Sequence, residues 1–260
     1  MIPKLIHYCW FGPQPLPTTT QRYLHSWCQY LPDYELRLWN EQNFDYQANP
    51  YARAAYAAGK YAFVADVCRI QALYQHGGIY LDTDVQMVAS FDPFLHHHCF
   101  TGFEQGMNPY TRQLTCNPQA GVMGCEAGST LMHDIWQQYQ QLEFNPQQLI
   151  TINQIFKQLY QQHGIILNNQ MQEIPDYVCV YPSDYFMAKN AYTHELNRTS
   201  NTVCIHHYDG SWLSDSKHTD QINAFYSAYC APPSAPATVK NSSPCSNGNF
   251  DEHQLRPYPH

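Results

Sequence analysis

Two carboxylates two residues apart, Asp82 and Asp84, close the run Gly77-Gly78-Ile79-Tyr80-Leu81-Asp82-Thr83-Asp84. In extended chain such residues face the same side, so both would project from one strand end, roughly 6–7 Å apart at the backbone. At that separation they repel unless a cation or a basic group sits between them. Oxygen ligands of this kind favour Mg²⁺ or Mn²⁺ over zinc, and ligands of α/β sheets bind at strand ends. An isolated Asp-x-Asp is more often a solvated polar turn, so the surrounding residues must decide its meaning.

Asp66 and Arg69 lie three apart on a stretch with helical periodicity, hence on one face beside an apolar stripe. They read either as an intrahelical ion pair or as a clamp on an anionic ligand, because a partly buried Arg needs a carboxylate or phosphate partner. Trp10 ends an apolar run just before Phe11-Gly12-Pro13; it is a core aromatic or a face on which a base stacks. In Cys204-Ile205-His206-His207-Tyr208-Asp209-Gly210-Ser211-Trp212, the adjacent imidazoles of His206 and His207 point opposite ways from a strand. At most one of them can join the aspartates, and Mn²⁺ accepts nitrogen more readily than Mg²⁺. His96, His97 and His98 fan out and cannot chelate together. No Gly-x-Ser-x-Gly elbow and no phosphate-cradling Gly-rich loop with Lys occurs, which weakens hydrolase and kinase readings.

These residues need a scaffold, and the apolar pattern supplies one. A strand over residues 4–10, a helix over 20–30 and a strand over 34–39 form a crossover unit of a parallel sheet. A longer helix is predicted over 60–76, stopped by Gly77-Gly78, one of which takes a left-handed conformation. A short strand over 79–81 aims at Asp82, and 85–88 continues extended. Helices are predicted over 131–142 and 151–162, and strands over 178–181 and 203–207. From residue 231 the composition turns to Pro, Ser, Asn and Gly without periodicity. The division is therefore one domain over 1–230, which holds all of these residues, and a disordered tail over 231–260.

Thirteen basic against 21 acidic side chains give a net charge of −8. That excludes a nucleic-acid binder, which needs a basic stripe, and offers no polybasic patch for anionic lipid. Ten dilute cysteines without ribbon or redox spacing read as reduced thiols. No signal peptide and no transmembrane run is legible, so the expectation is a cytoplasmic protein, with peripheral contact at the inner face of the membrane.

Taken in order, five blocks resemble glycosyltransferase family 32, the sugar-binding region containing DXD motif. This family is typified by a yeast Golgi α-1,6-mannosyltransferase and by bacterial capsular polysaccharide transferases. The blocks are residues 2–12, then Ser26-Trp27 with Pro32-Asp33-Tyr34 and Leu38-Trp39-Asn40, residues 61–69, residues 77–84, and residues 206–212. Ala65 and Val67-Cys68 depart from the usual bacterial pattern at packing positions only. The resemblance implies a GT-A fold, a Rossmann-like mixed α/β sheet flanked by helices. It implies a retaining, metal-dependent transfer of a hexose from a nucleotide sugar, a UDP-sugar before GDP-mannose. The acceptor would be a glycan or lipid-linked glycan in surface polysaccharide or glycolipid synthesis.

By motif position, Trp10 would stack on the base, and Asp66 and Arg69 would hold the donor sugar or diphosphate. Asp82 would contact ribose and metal-bound groups, Asp84 would ligate Mn²⁺ or Mg²⁺, and Trp212 would close over the diphosphate. His207, before His206, would complete the metal shell. With no evident nucleophile, the leaving phosphate itself would take the acceptor proton in a front-face transfer. Glu104, Asn117 and Asn153 lie in segments that shape a sugar or acceptor pocket, or else merely cap and hydrogen-bond at the surface. Two alternatives stay open: an effector-type transferase that modifies protein, and a non-catalytic nucleotide-sugar or glycan-binding module.

Overall fold

The computed structural model describes residues 1–107, 114–191 and 193–209. Both the tail and Trp212 lie outside the described residues. Strand β1 (Leu5–Cys9) is buried throughout and leads to helix α1 (Thr18–Tyr30), whose Thr20, Leu24 and Trp27 form an inward face at helical spacing. Strand β2 (Glu35–Trp39) then pairs parallel to β1, as a right-handed crossover requires.

After a short helix α2 (Pro50–Ala57), capped by the Asn49 side chain and started by its own Pro50, comes the central helix α3 (Tyr61–His76). Its Phe63, Val64, Val67, Cys68, Ile70, Ala72 and Leu73 are all buried, so this helix is enclosed on most sides. The chain reverses at Gly77 and Gly78, with φ of 63° and 99°. At Gly78 even a Cβ would stand 2.5 Å from the Leu5 carbonyl oxygen, so only glycine lets the chain slip between α3 and β1. Strand β3 (Gly78–Leu81) follows, parallel to β1, and β4 (Val85–Met87) lies just past the carboxylate pair.

Four strands absent from the sequence expectations complete the sheet: β5 (Cys99–Met107), β6 (Leu114–Pro118), β7 (Val122–Cys125) and, at its far edge, β8 (Gln172–Ile174). Helices α4 (Thr130–Gln141) and α5 (Ile152–Gln162) pack on one face, the latter started by a Thr151/Gln154 capping box. Strands β8 (Gln172–Ile174) and β9 (Val178–Tyr181), helix α6 (Ser183–Phe186) and strand β10 (Cys204–His206) end the described chain.

The main sheet runs β2-β1-β3-β7-β5-β9-β8, with β6 paired to β5, while β10 pairs antiparallel with β4 in a small second sheet. Strands β1, β2, β3, β5 and β9 share one direction and β7 opposes them, giving the expected mixed α/β sheet flanked by helices. One core cluster lies between the sheet and α2–α5, and the other joins α1, α6, β4 and β10 to the opposite face. The thiol expectation needs a correction. Cys9, Cys68, Cys99, Cys116, Cys125, Cys179 and Cys204 are free, but Cys28 is disulfide-bonded. No helix among the described residues is long and apolar enough to cross a membrane.

Candidate active site

The strand that ends in the carboxylate pair is held from three sides, two of them by residues of the sequence blocks. Trp27 Nε1 donates to the Val85 carbonyl at 2.7 Å, and Ser26 Oγ accepts from Met87 N at 2.9 Å, so α1 fixes β4 beyond the pair. Trp39 Nε1 donates to His7 Nδ1 at 2.9 Å, which leaves His7 Nε2 to donate to the Gly77 carbonyl at 2.8 Å. The buried imidazole thereby ties two strands to the glycine turn, and burial holds its pKa down at about 3. On the third side, Asp82 N donates to the Gly121 carbonyl at 2.8 Å.

Arg69 reaches from α3 to the pair. Its guanidinium lies 3.1 Å from Asp66 and 3.2 Å from Asp82, and Nη1 donates to the Ala120 carbonyl at 2.9 Å. It also stacks 4.3 Å over the Tyr80 ring, whose hydroxyl donates to Asp82 at 2.9 Å. Burial works against the Arg69 charge, and Asp82, Tyr80 and Asp66 outweigh it, so the cation persists. Burial lifts the Asp66 carboxyl to about 6, against the pull of Arg69. Asp66 and Arg69 are thus both an intrahelical pair and one wall of the site, since the Arg bridges to Asp82.

The second wall comes from the far end of the chain. His206 Nε2 lies 3.0 Å from Asp84 Oδ1 and 3.7 Å from Asp82 Oδ2. One donor atom from each of Asp82, Asp84 and His206 falls within 4.8 Å of the other two. Of the two histidines expected at the metal, His207 before His206, the one that faces the aspartates in this structure is His206. His207 Nε2 instead meets Gln86 Oε1 at 2.9 Å, and its ring stacks on Tyr23 at 4.7 Å, because alternation along the strand turns it away from the aspartates. Burial and the nearby Lys189 lower the His207 pKa to about 4. At His206 burial also opposes charge, but Asp84 dominates and raises the pKa to about 9. Burial works to raise the Asp84 pKa, but His206 and the Asp209 backbone N–H, 3.0 Å from Oδ2, hold it below the ordinary range.

The donor set of two carboxylates and one imidazole fits a divalent cation of the Mn²⁺ type. Among the described residues His206 Nδ1 is buried with no hydrogen-bond partner, so none of them fixes the ring by that atom. Trp10 stands apart from both core clusters, half-buried, its backbone N–H donating to the Trp39 carbonyl and Nε1 to the Gln14 carbonyl. His96 packs on His97, His97 meets Tyr181 and His98 meets Glu126, so these three neighbours serve separate contacts.

Residues 17–101 match the family described as glycosyltransferase sugar-binding region containing DXD motif. The matched residues include Asp66, Arg69, Asp82 and Asp84 but stop short of His206. The chain is also 36% identical over 103 residues to inositol phosphoceramide mannosyltransferase 3 of Schizosaccharomyces pombe (strain 972 / ATCC 24843), covering 37% of this chain and 28% of that protein. It therefore spans little more than a quarter of the length of that relative. Among solved structures, the PaToxG glycosyltransferase aligns with a TM-score of 0.48 and 18% identity over 62% of this chain and 70% of that one. The galactosyltransferase LgtC, solved with donor and acceptor sugar analogs, aligns with a TM-score of 0.35 and 12% identity over 88% of this chain and 97% of that one.

Proposed function

We propose that the protein is a metal-dependent glycosyltransferase of GT-A architecture that moves a hexose from a nucleotide sugar to a glycan or glycolipid acceptor with retention of configuration. The observation that carries this reading is the convergence of Asp82, Asp84 and His206 beside the Arg69 cation, within reach of a matched sugar-binding region. Asp84, His206 and Asp82 would hold a Mn²⁺ or Mg²⁺ ion, which supplies neutralising charge for a leaving diphosphate.

The chain's own groups do the rest. Arg69, buried and fixed by Asp66, Asp82 and the Ala65 and Ala120 carbonyls, adds a preorganised positive charge at the same place. Asp66, whose carboxyl accepts from the Ile152 backbone N–H as well as pairing with Arg69, presents an oxygen to a donor-sugar hydroxyl. Trp10 offers an aromatic face at the end of β1 for the base. Trp212 would close over the diphosphate. The leaving phosphate takes the acceptor proton, which needs no protein nucleophile. The fission-yeast relative is named for moving mannose to inositol phosphoceramide, so GDP-mannose stands beside the UDP-sugars as a donor, and a glycolipid as an acceptor.

The experiment is nucleotide release from a panel of UDP-sugars and GDP-mannose, with Mn²⁺ or with EDTA, and with or without glycan and glycolipid acceptors. Release that needs the metal and rises with an acceptor supports the transferase. Tight nucleotide-sugar binding without turnover would establish a binding module instead.

A further inference from the structure

Past the carboxylate pair the sheet continues through β7 to β5, which stands two strand spacings, roughly 10 Å, from β3. Strand β5 shares the direction of β3, because each pairs antiparallel with β7, so its C-terminal half runs toward the same sheet edge as Asp82. Side-chain alternation then assigns faces. Phe103 belongs to the core under α3, α4 and α5, whereas Phe100 belongs to the opposite cluster, and a Cβ on Gly102 would lie 3.0 Å from Phe186 of α6. Glu104 has the parity of Phe100 and Gly102, so it projects into the layer of α6 and β10, the layer that carries His206. Asn117 on β6 is its direct cross-strand partner and faces the same way.

Both side chains are half-buried, and among the described residues neither has a hydrogen bond or an ion pair. Burial pushes the Glu104 carboxyl up to about 7, against the pull of the His206 charge. A carboxyl and a carboxamide kept side by side and unpaired are costly unless a ligand completes them. Sugar hydroxyls do so, donating to one and accepting from the other. The groups assigned to the donor, Asp66 and Arg69, belong to the α3 layer, on the other side of the sheet from this pair.

We propose that Glu104 and Asn117 form the acceptor side of the site, binding hydroxyls of the incoming sugar next to the Asp82–Asp84–His206 cluster. This rests on the glycosyltransferase reading above. The full chain is tested with the donor that wild type turns over fastest and with methyl α-mannoside, methyl α-galactoside and methyl α-glucoside as probe acceptors. Glu104→Gln, which keeps the shape of the side chain, and Asn117→Ala are compared by circular dichroism before kinetics. The expected result is an acceptor KM raised on the order of tenfold, one polar hydrogen bond being lost, with the donor KM moving much less. Saturation-transfer NMR of the same glycosides, with UDP and Mn²⁺ present, should show the probe signal weakened in both folded variants. An acceptor KM and an NMR signal like those of wild type would overturn the assignment, as would a rise in donor KM alone, which would move the pair to the transferred sugar. In either case wild-type turnover would leave the transferase reading standing. Absence of any metal-dependent turnover by wild type would remove that reading and this one together.

Discussion

Arg69 Nη1 lies 3.2 Å from Asp82 Oδ1, and this contact joins the central helix to the strand that ends in the carboxylate pair. The guanidinium also serves Asp66 and the Ala120 carbonyl, so one cation compensates two carboxylates in a buried place. Removing it as Arg69→Met should cost about 3–5 kcal/mol of folding free energy, the penalty of leaving buried charge unpaired. Adding Asp66→Asn to that variant should recover part of the loss. Urea titrations of the single and double variants measure both, and a double variant less stable than the single one would show that Asp66 is anchored by something else.

Asp84→Asn should abolish metal-dependent nucleotide release while leaving the circular dichroism spectrum unchanged. The substitution keeps the side chain's size but removes a charge from the ligand set, and it weakens the contacts with His206 and the Asp209 N–H. Turnover like that of wild type at limiting Mn²⁺ would end the metal-site reading.

Gly121 has no side chain for a spatial reason. A Cβ there would stand 2.7 Å from Asp82 Oδ2, so Gly121→Ala must displace the carboxylate. The backbone is not at positive φ, hence the fold should survive while metal affinity falls roughly 10–100-fold, as when a ligand's immediate support is disturbed. Mn²⁺ titration of the activity gives the midpoint, and an unshifted midpoint would mean that Asp82 is free to move.

For Trp10 the competing role as a core residue can be separated by where the loss appears. A buried Trp→Ala costs about 3–5 kcal/mol of stability; Trp10 is half-buried and outside both clusters, so Trp10→Ala should cost clearly less. The loss should fall on nucleotide affinity, about 1–3 kcal/mol for one base stack, with Trp10→Phe recovering part. Calorimetry with UDP and Mn²⁺ decides, and equal affinities in all three folded proteins would remove Trp10 from the site.

His7 sets an acid limit on the fold. Its folded pKa of about 3 lies below the ordinary value of 6.5, so the unfolded chain takes up the proton first. Its contribution is intact above about pH 6.5 and lost as pH falls toward 3, about 2 kcal/mol of it between pH 7 and 5. His7→Gln cannot titrate in that range, so its stability should fall less than wild type's over those two pH units. Parallel slopes in urea melts at pH 7 and 5 would place the acid sensitivity elsewhere.

The first half of the site was legible because its residues are close in sequence and periodicity places them. Asp66 and Arg69 share a helix face, and Asp82 and Asp84 share a strand end. The early strands and helices were legible for the same reason, while β5, β6, β7 and β8 were not. Their runs are short or broken by Gly, Gln, Asn and Pro, so no local period announces them. That His206 faces the aspartates while His207 turns to Gln86 was not legible, because two adjacent histidines differ only in which way the strand turns them. That phase is set by pairing with β4, a contact 121 residues away at His206 and Val85. Gly121 carried no signal at all, since what it does is leave space for a side chain 39 positions earlier.

The pairing of β10 with β4 also has a consequence in time. On the ribosome Asp84 emerges 122 residues before His206, an interval of roughly 6–24 s at ordinary synthesis rates. Throughout it the two aspartates can be in place with Arg69, yet the imidazole that faces them has not been made. The three-residue cluster is therefore a late event in the birth of the molecule, closed when a strand added near the end of the described chain docks onto one made near its beginning.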